Sequence, residues 1–352
     1  MKNLHAQSPK KYPIEVMCRL FGVSKQAYHK QKGHSAAHKT AIEAFALEYI
    51  RSIRKTVPGI GGMKLWYMYR REFPDKERLG RDRFEELIMR NGLNVRKRIR
   101  KPRTTDSTHG LPVYPNLVCS FIPERVNQLW VSDITYIKVW LSESCYTFAY
   151  LSLITDAYSH EIVGWAVGKT LETCYASEAL TMALHRLYGK SKEYASMLIH
   201  HSDRGVQYAS DEYVSLLRKN NIRISMTENG DPKENAIAER INQTVKNELL
   251  KDIRFRSVGE IRDALKVAVE FYNTRRPHMS VDMMTPEEAA RCNGEIRKWW
   301  HSYREDAIKK VSIRPTTGIK PLYTTIATVT MKPIVAVAIV LLNLYVTACI
   351  SY

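Results

Sequence analysis

The segment LWVSDITYI, residues 129–137, decides the fold of this chain. Its apolar, β-branched and aromatic residues predict a buried β-strand, which we expect to cover Leu129–Leu141. Similar runs follow over Cys145–Thr155 and Glu161–Lys169, and short polar turns separate the three runs. Three strands with short turns between them predict an antiparallel meander.

After the meander, the pattern alternates between helix and strand. Helices are predicted at Glu172–Tyr188, Asp211–Asn220 and Glu234–Leu250, and strands at Met197–His201 and Ile222–Met226. A meander that is followed by alternating helices and strands predicts an α/β fold, in which a mixed sheet has helices on both faces.

Acidic residues stand at chemically informative places in these elements. Asp133 lies inside the first strand, where a carboxylate is costly to bury unless a cation meets it. Asp203 directly follows a strand, where the sites of α/β folds tend to lie. Glu239 lies on the polar face of an amphipathic helix. Asp231 and Glu234 compete with Glu239 as the third acid, and the helical-face argument favours Glu239.

Three acids that converge could hold two Mg²⁺ ions, with Mn²⁺ as a substitute, because hard divalent cations prefer oxygen ligands. Two such ions stabilise both the attacking and the leaving oxygen of a displacement at phosphorus. Lys246 lies two turns beyond Glu239 on the same helix face, and we expect it to meet a DNA phosphate. Taken alone, an aspartate in a strand is more often a hydrogen-bonded structural residue than a ligand, and Asp203-Arg204-Gly205 is also compatible with an ordinary turn.

Basic residues are concentrated at the front of the chain. The 352 residues include 54 Lys and Arg against 36 Asp and Glu, a net charge of +18, and residues 1–110 account for +15 of it. Such an excess predicts a polyanionic partner, either nucleic acid or an anionic membrane surface. The densest run predicts a strap along a DNA backbone, with a solvated linker as the alternative, and its basic residues are Arg96, Lys97, Arg98, Arg100, Lys101 and Arg103.

The composition also excludes two classes of protein. A hydrophobic content of 44% is too high for wholesale disorder. Six cysteines without a CxxC pair argue against a disulfide framework, and no secretory signal is visible at residues 1–13. We therefore expect a cytoplasmic protein that associates with the nucleoid.

The front third reads as helical. Residues 13–32 resemble a helix-turn-helix, with a turn at Gly22 and Ser24 as the cap of the second helix. Further helices are predicted at 40–56, 64–73 and 81–91. The predicted domains are a helix-turn-helix-like hairpin at 1–38, a helical DNA-binding region with the basic strap at 39–103, a linker at 104–124, a catalytic core at 125–290 and a C-terminal extension at 291–352.

Taken together, these motifs resemble the DDE transposases of the IS-three family of bacterial insertion sequences, which are relatives of retroviral integrases. The resemblance runs from about residue 10 to about residue 290. The residues that carry it are the segments 129–136 and 200–208, the 35 residues between Asp203 and Glu239, Lys246, and the signature YNTRRPH at 272–278 with Thr285-Pro286 after it.

The resemblance implies an RNase H-like core behind an all-α, helix-turn-helix-like DNA-binding region. It implies that Asp133, Asp203 and Glu239 are catalytic ligands of Mg²⁺, which serves DNA cleavage at the element's ends and strand transfer into target DNA. Expected partners are the inverted-repeat ends, target DNA, further copies of the chain and a protein from an upstream reading frame. Around the acids, Arg204 is a candidate partner of DNA or of a carboxylate. His200 and His201 are candidate accessory residues at the reacting phosphate, with a structural hydrogen bond to the loop as the equal alternative.

Two alternatives stay open. A non-catalytic DNA-binding regulator would need only residues 13–103. The uncharged residues 333–352 are long enough to span a bilayer, although we do not expect a membrane role. Sequence acquired by readthrough or element decay is the other interpretation of this tail.

Overall fold

A computed structural model of the chain describes residues 13–26, 36–75, 78–95, 110–188, 197–228 and 232–312. These residues fall into two units, 1–301 and 302–352, and the described part of the second unit is the helix Tyr303–Ser312. The predicted basic strap at 96–103 and the apolar tail at 333–352 lie outside the described residues. In the part of the chain that is described, no helix is long and apolar enough to cross a membrane.

The helices that precede the sheet are α1 (Ile14–Leu20), α2 (Ala36–Thr56), α3 (Gly62–Glu72) and α4 (Arg81–Arg90). The last three follow the predicted helices closely, although α2 begins before residue 40. Their apolar faces bury Ile50, Tyr69 and Phe84 completely. These side chains share one hydrophobic core with residues of the sheet and of the helices that follow it, so this helical region belongs to the same packed unit.

The predicted helix-turn-helix is described only in part. After α1, Gly22 adopts a φ of +63°, a left-handed conformation that favours glycine and allows the predicted turn. A helical turn begins at Lys25, and residues 27–35 lie outside the described residues. The helix-turn-helix therefore stays a prediction.

The strands β1 (Leu129–Trp140), β2 (Tyr146–Asp156), β3 (Ile162–Gly168), β4 (Ile199–Ser202) and β5 (Arg223–Met226) form one sheet within the described ranges. Its order is β3-β2-β1-β4-β5. The first three strands pair antiparallel, as the meander predicted, and β4 and β5 run parallel to β1. The mixed sheet of the sequence analysis is confirmed.

The helices that follow the meander are α5 (Thr173–Tyr188), α6 (Val206–Ala209), α7 (Asp211–Lys219), α8 (Ala236–Thr244), α9 (Val258–Thr274) and α10 (Pro286–Ala289). Side chains alternate along a strand, so the two faces of the sheet bury different helices. Ile137 and Leu151 pack in the same core as α8 and α9. Trp130 and Ile154 pack with α5 and α7. Helices therefore cover both faces, as predicted.

The single helix that is predicted at Glu234–Leu250 is divided into three parts. A 3₁₀ turn at Pro232–Asn235 leads into α8, and a π-helical turn at Val245–Leu249 ends it. A π turn adds one residue to a helical turn and frequently marks a functional place. The apolar stripe on this segment is buried against the sheet, and its members are Ala238, Ile241, Val245 and Leu249.

Candidate active site

Asp133 lies in β1 at the centre of the sheet. Its Oδ2 accepts a 2.7 Å hydrogen bond from Asn242 Nδ2, and its Oδ1 accepts one of 2.9 Å from the backbone N–H of Ile134. The pKa of Asp133 is raised to about 7, first by burial, then by the charge of Asp203 and to a smaller extent by that of Glu239, against the lowering effect of the hydrogen bonds from Asn242 and Ile134. The three predicted acids are therefore electrostatic neighbours.

Asp203 reaches the same place through the parallel pairing of β4 with β1. Val131 pairs with His201 in this register, and both acids lie two residues farther along their chains. Because the pairing of β4 with β1 ends at Val131–His201, both aspartates lie just beyond it, where β1 continues as an edge of the sheet without β4 beside it. The Oδ1 of Asp203 accepts a 3.0 Å hydrogen bond from the backbone N–H of Gly205, which fixes the loop after β4.

Glu239 is brought to the two aspartates by α8. One turn before it, Asn235 Nδ2 donates to the backbone carbonyl of Ser132 at 2.9 Å. One turn after it, Asn242 makes the contact with Asp133 described above. Residues three and four apart share one face of a helix, so the face that carries Glu239 is docked on β1 beside Asp133.

The competing acids differ from Glu239. The Oε2 of Glu234 accepts a 2.6 Å hydrogen bond from the backbone N–H of Glu228, so this carboxylate fastens the loop after β5. Asp231 lies outside the described residues. The contact of Glu234 fits a structural role, and the choice of Glu239 as the third acid stays a prediction.

Lys246 lies beside the same strand. Its Nζ donates to the Oγ1 of Thr135 at 3.1 Å and stands 4.0 Å from the ring centroid of Tyr136. The cation is thus held two to three residues beyond Asp133 along β1. A DNA phosphate at the three acids would pass close to it, and its phosphate contact stays a prediction.

The two histidines before Asp203 are buried among structural partners. His200 Nε2 is 2.8 Å from the hydroxyl of Tyr213, and burial lowers the pKa of His200 to about 3. His201 lies 2.8 Å from the Oγ of Ser225 through Nδ1, and 3.1 Å from the backbone carbonyl of Glu234 through Nε2. These contacts favour the structural interpretation of both residues over an accessory role in chemistry.

Arg204 joins two loops at the edge of the site. Its Nε donates to the backbone carbonyl of Thr227 at 2.7 Å, and its guanidinium also contacts the carbonyl of Glu228. This arginine therefore fixes the loop after β4 to the loop after β5. Its DNA contact remains a prediction, as do those of the basic strap.

The C-terminal signature at 272–278 connects the elements that surround the site. Asn273 exchanges two hydrogen bonds with the backbone of Ile162, at 3.0 and 2.9 Å. Arg276 is buried and makes a bidentate ion pair with Glu248, at 2.7 and 3.0 Å. These residues tie α9 to β3 and to the π turn at the end of the Glu239 helix.

Asn235 and Asn242 lie at helical spacing from Glu239 in the sequence, and no role is predicted for them above. The structure shows that both bind β1 on either side of the position of Glu239. The signal was present in the sequence, because amides at i−4 and i+3 of a candidate ligand are in reach of whatever that ligand faces. The sequence did not indicate which strand the two amides would contact.

The acids can be tested for their fit to a divalent cation. Among the described residues, no three His, Cys, Asp or Glu side chains stand close enough together to hold an ion as they are placed. The donor set itself fits, since Asp133, Asp203 and Glu239 offer only oxygen ligands at one edge of the sheet. Burial and, after it, the charges of the neighbouring acids raise the pKa of Asp133, and a bound cation would offset both.

The chain resembles known families and proteins over most of its length. Residues 123–232 and residues 220–286 each match a family model described as integrase core domain. The insertion element IS600 31 kDa protein of Shigella sonnei is 33% identical over 277 residues, which cover 77% of this chain and 96% of that protein. The transposase InsF for insertion sequence IS3A of Escherichia coli is 31% identical over 206 residues, which cover 57% and 67%.

A solved structure also matches part of the chain. The catalytic core domain of HTLV-2 integrase, in a complex with magnesium, is 19% identical and superposes with a TM-score of 0.36. The match covers 49% of this chain and 100% of that one.

Proposed function

Because this chain belongs to the IS-three family of insertion-sequence transposases, we propose that it cuts DNA at the ends of its element and joins those ends to target DNA. One observation carries the proposal. The register of β1 and β4 brings Asp133 and Asp203 to the same edge of the sheet, and Asn242 docks the helix of Glu239 on that edge. Such an edge can receive a phosphate that approaches from outside the sheet.

We assign Asp133, Asp203 and Glu239 as the ligands of two Mg²⁺ ions, for which Mn²⁺ can substitute. When bound, such ions activate the attacking oxygen and neutralise the leaving one. The protein's own groups hold the ligands in place: Asn242 orients the carboxylate of Asp133, and the Gly205 N–H orients that of Asp203. No side chain needs to act as a covalent nucleophile, since water attacks in cleavage and a DNA 3′-hydroxyl attacks in strand transfer.

The basic residues supply the grip on DNA in this proposal. Lys246 contacts a phosphate beside the acids, while the strap at 96–103 and the helix-turn-helix-like front hold the inverted-repeat ends. Two ends must be held together for joining, so we infer a homo-oligomer, with an upstream-frame protein as a further partner. The chain then works on chromosomal DNA at the nucleoid.

A matched pair of variants tests the assignment. Purified protein is incubated with Mg²⁺ and a labelled duplex that carries the element's end, and cleavage and joining are followed on a denaturing gel. We expect Glu239→Gln to lower both steps by more than about 100-fold while DNA binding persists. Glu234→Gln keeps an oxygen that can accept from Glu228 and should retain activity. If Glu239→Gln cuts and joins as well as the wild type, the metal-site assignment is wrong, and a DNA-binding regulator is what remains.

A further inference from the structure

One face of the β1–β2 hairpin carries aromatic and cationic side chains that none of the assignments above uses. In the antiparallel register Lys138 pairs with Phe148, and Trp140 pairs with Tyr146. Residues that pair directly opposite each other point to the same face, and residues two apart on one strand share it. We call this set the hairpin stripe, and its members are Tyr136, Lys138, Trp140, Tyr146 and Phe148.

The rings of the hairpin stripe touch one another in an unbroken series. Tyr136 and Phe148 have ring centroids 5.0 Å apart, Phe148 and Tyr146 are 5.5 Å apart, and Tyr146 and Trp140 are 5.4 Å apart. All three contacts are edge-to-face, the arrangement that aromatic rings prefer. Tyr146 is 41% exposed, so this series is accessible from solvent at the hairpin end.

Cations accompany the rings along the whole stripe. Lys138 Nζ stands 3.9 Å from the centroid of Tyr146, the guanidinium carbon of Arg254 stands 4.7 Å from that of Trp140, and Lys246 Nζ covers Tyr136. Glu143, at the hairpin turn, contributes a carboxylate 2.9 Å from Arg254. Of these three cations, Arg254 is paired with Glu143. The remaining positive charge is what a surface that binds a polyanion needs.

The stripe is connected to the candidate active site around the part of β1 that continues beyond its pairing with β4, which ends at Val131. Tyr136 follows Asp133 by three residues, so its side chain lies on the opposite face of the strand. Lys246 links the two faces, because its Nζ donates to the Oγ1 of Thr135, which shares the face of Asp133, and also stands over the ring of Tyr136. At the rise of a strand, the distance from Tyr136 to Trp140 is about 13 Å. A DNA strand with a rise of 3.4 Å per nucleotide would cover that distance in about four nucleotides.

We propose that the hairpin stripe binds unpaired nucleotides of the DNA strand next to the reacting phosphate, with bases stacked on the rings and phosphates on the cations. Aromatic side chains stack on bases of any sequence, but only where the bases are free of the duplex. A second copy of the chain is a poorer occupant, because two such stripes face to face would bring like charges together. This inference rests on the proposed function and adds the conformation of its DNA substrate.

Binding without catalysis tests the stripe. The full chain is titrated, in EDTA, into a fluorescein-labelled single-stranded oligonucleotide and into the blunt duplex of the same sequence, and anisotropy is measured. We expect Trp140→Leu and Tyr146→Leu each to weaken single-strand binding by about tenfold or more, and duplex binding by less than about twofold. Lys138→Ala should weaken both, and should lower the slope of log affinity against log salt by about one.

Trp299→Leu is the matched control. Trp299 is also a partly exposed tryptophan with an arginine over its ring, Arg297 at 5.5 Å, but it lies outside the hairpin stripe. We expect it to bind both DNA forms as the wild type does. Thermal melting confirms the fold of each variant, and the exposed Tyr146 and Lys138 keep the test valid if Trp140→Leu does not fold.

Two results would overturn the proposal. One is that Trp140→Leu and Tyr146→Leu do not weaken single-strand binding selectively, either because they bind the single strand with wild-type affinity or because they lose as much affinity for the duplex as for the single strand. The other is a change in the sedimentation of these variants without a change in DNA binding, which would assign the stripe to a contact between copies. Because metal is absent, neither result depends on cleavage, whereas failure of the proposed function is seen in the Glu239→Gln cleavage assay.

Discussion

Asp133 and Asp203 lie at matching positions of two neighbouring parallel strands, each two residues beyond the pair Val131–His201. The match brings two carboxylates to one edge of the sheet. The pKa of Asp133 is raised, first by its burial and then by the charge of Asp203. A neutral side chain at one of these positions would avoid this cost, and a bound cation would offset it.

The hydrogen bond from Asn242 to Asp133 leads to a prediction about positioning. Asn242→Ala removes the donor that orients Asp133, so we expect cleavage to fall by about 10- to 100-fold. Affinity for the element's end, measured by anisotropy, should stay within about twofold of the wild type. Gln243→Ala is the control, because Gln243 is exposed on the next position and contacts Asn247 instead. Equal cleavage by the wild type and Asn242→Ala would refute the positioning role.

The ion pairs of Glu248 with Arg276 and Lys64 lead us to expect that the stability of the fold depends on pH. Burial alone would raise its pKa, but the charges of Arg276 and Lys64 and their hydrogen bonds lower it to about 2. The carboxylate therefore stabilises the folded state above pH 4.5, its ordinary pKa, and that stabilisation is lost as the pH falls towards 2. We expect Glu248→Gln to cost about 3 kcal/mol of unfolding free energy at pH 7, by urea denaturation.

The pH series contains its own control. Because the wild type loses this stabilisation below pH 4.5, the difference between it and Glu248→Gln should shrink by more than half at pH 3. A difference that stays the same at pH 7 and pH 3 would show that the ion pair with Arg276 and Lys64 contributes no charge-dependent stability.

The loop before α3 offers a matched pair of glycines. The N–H of Gly59 donates to the carbonyl of Glu248 at 2.9 Å, and a Cβ at Gly59 would lie 2.5 Å from the carbonyl oxygen of Asn247. Gly59→Ala should therefore lower the unfolding free energy by about 1–3 kcal/mol. A Cβ at Gly61 meets nothing within 4 Å and its φ is −76°, so Gly61→Ala should cost no more than about 0.5 kcal/mol, the expected effect of alanine in place of glycine at this N-cap. Thermal melting of both variants decides, and equal midpoints would contradict the close approach.

The strands and the acids were readable from local pattern. The strand predicted at Leu129–Leu141 is confirmed to within one residue of its end. An apolar run that is rich in β-branched and aromatic residues favours a strand strongly. The helix that ends near Leu250 was predicted as one piece. Over a single turn, the pattern of apolar residues does not distinguish a π turn from an α turn. The π turn depends on contacts that only the fold creates, such as those of Glu248 with Arg276 and Lys64.

The candidate site was predictable in its residues and less so in its geometry. The pattern indicated that Asp133 and Asp203 lie on strands, but the parallel register of β1 and β4 follows from the crossover through α5 and from packing on both faces. The environment of His200 and His201 was open for the same reason. Their burial depends on Tyr213 and Ser225, which come from α7 and β5.

The most direct test of the central claim counts divalent ions at the three acids. Mn²⁺ bound to the full chain, in complex with a duplex of the element's end, is counted by electron paramagnetic resonance for the wild type, Asp203→Asn and the exposed control Asp211→Asn. We predict two ions for the wild type and for Asp211→Asn, and fewer for Asp203→Asn, with DNA binding unchanged in all three. The same number of ions, bound with the same affinity, in Asp203→Asn and the wild type would contradict the claim.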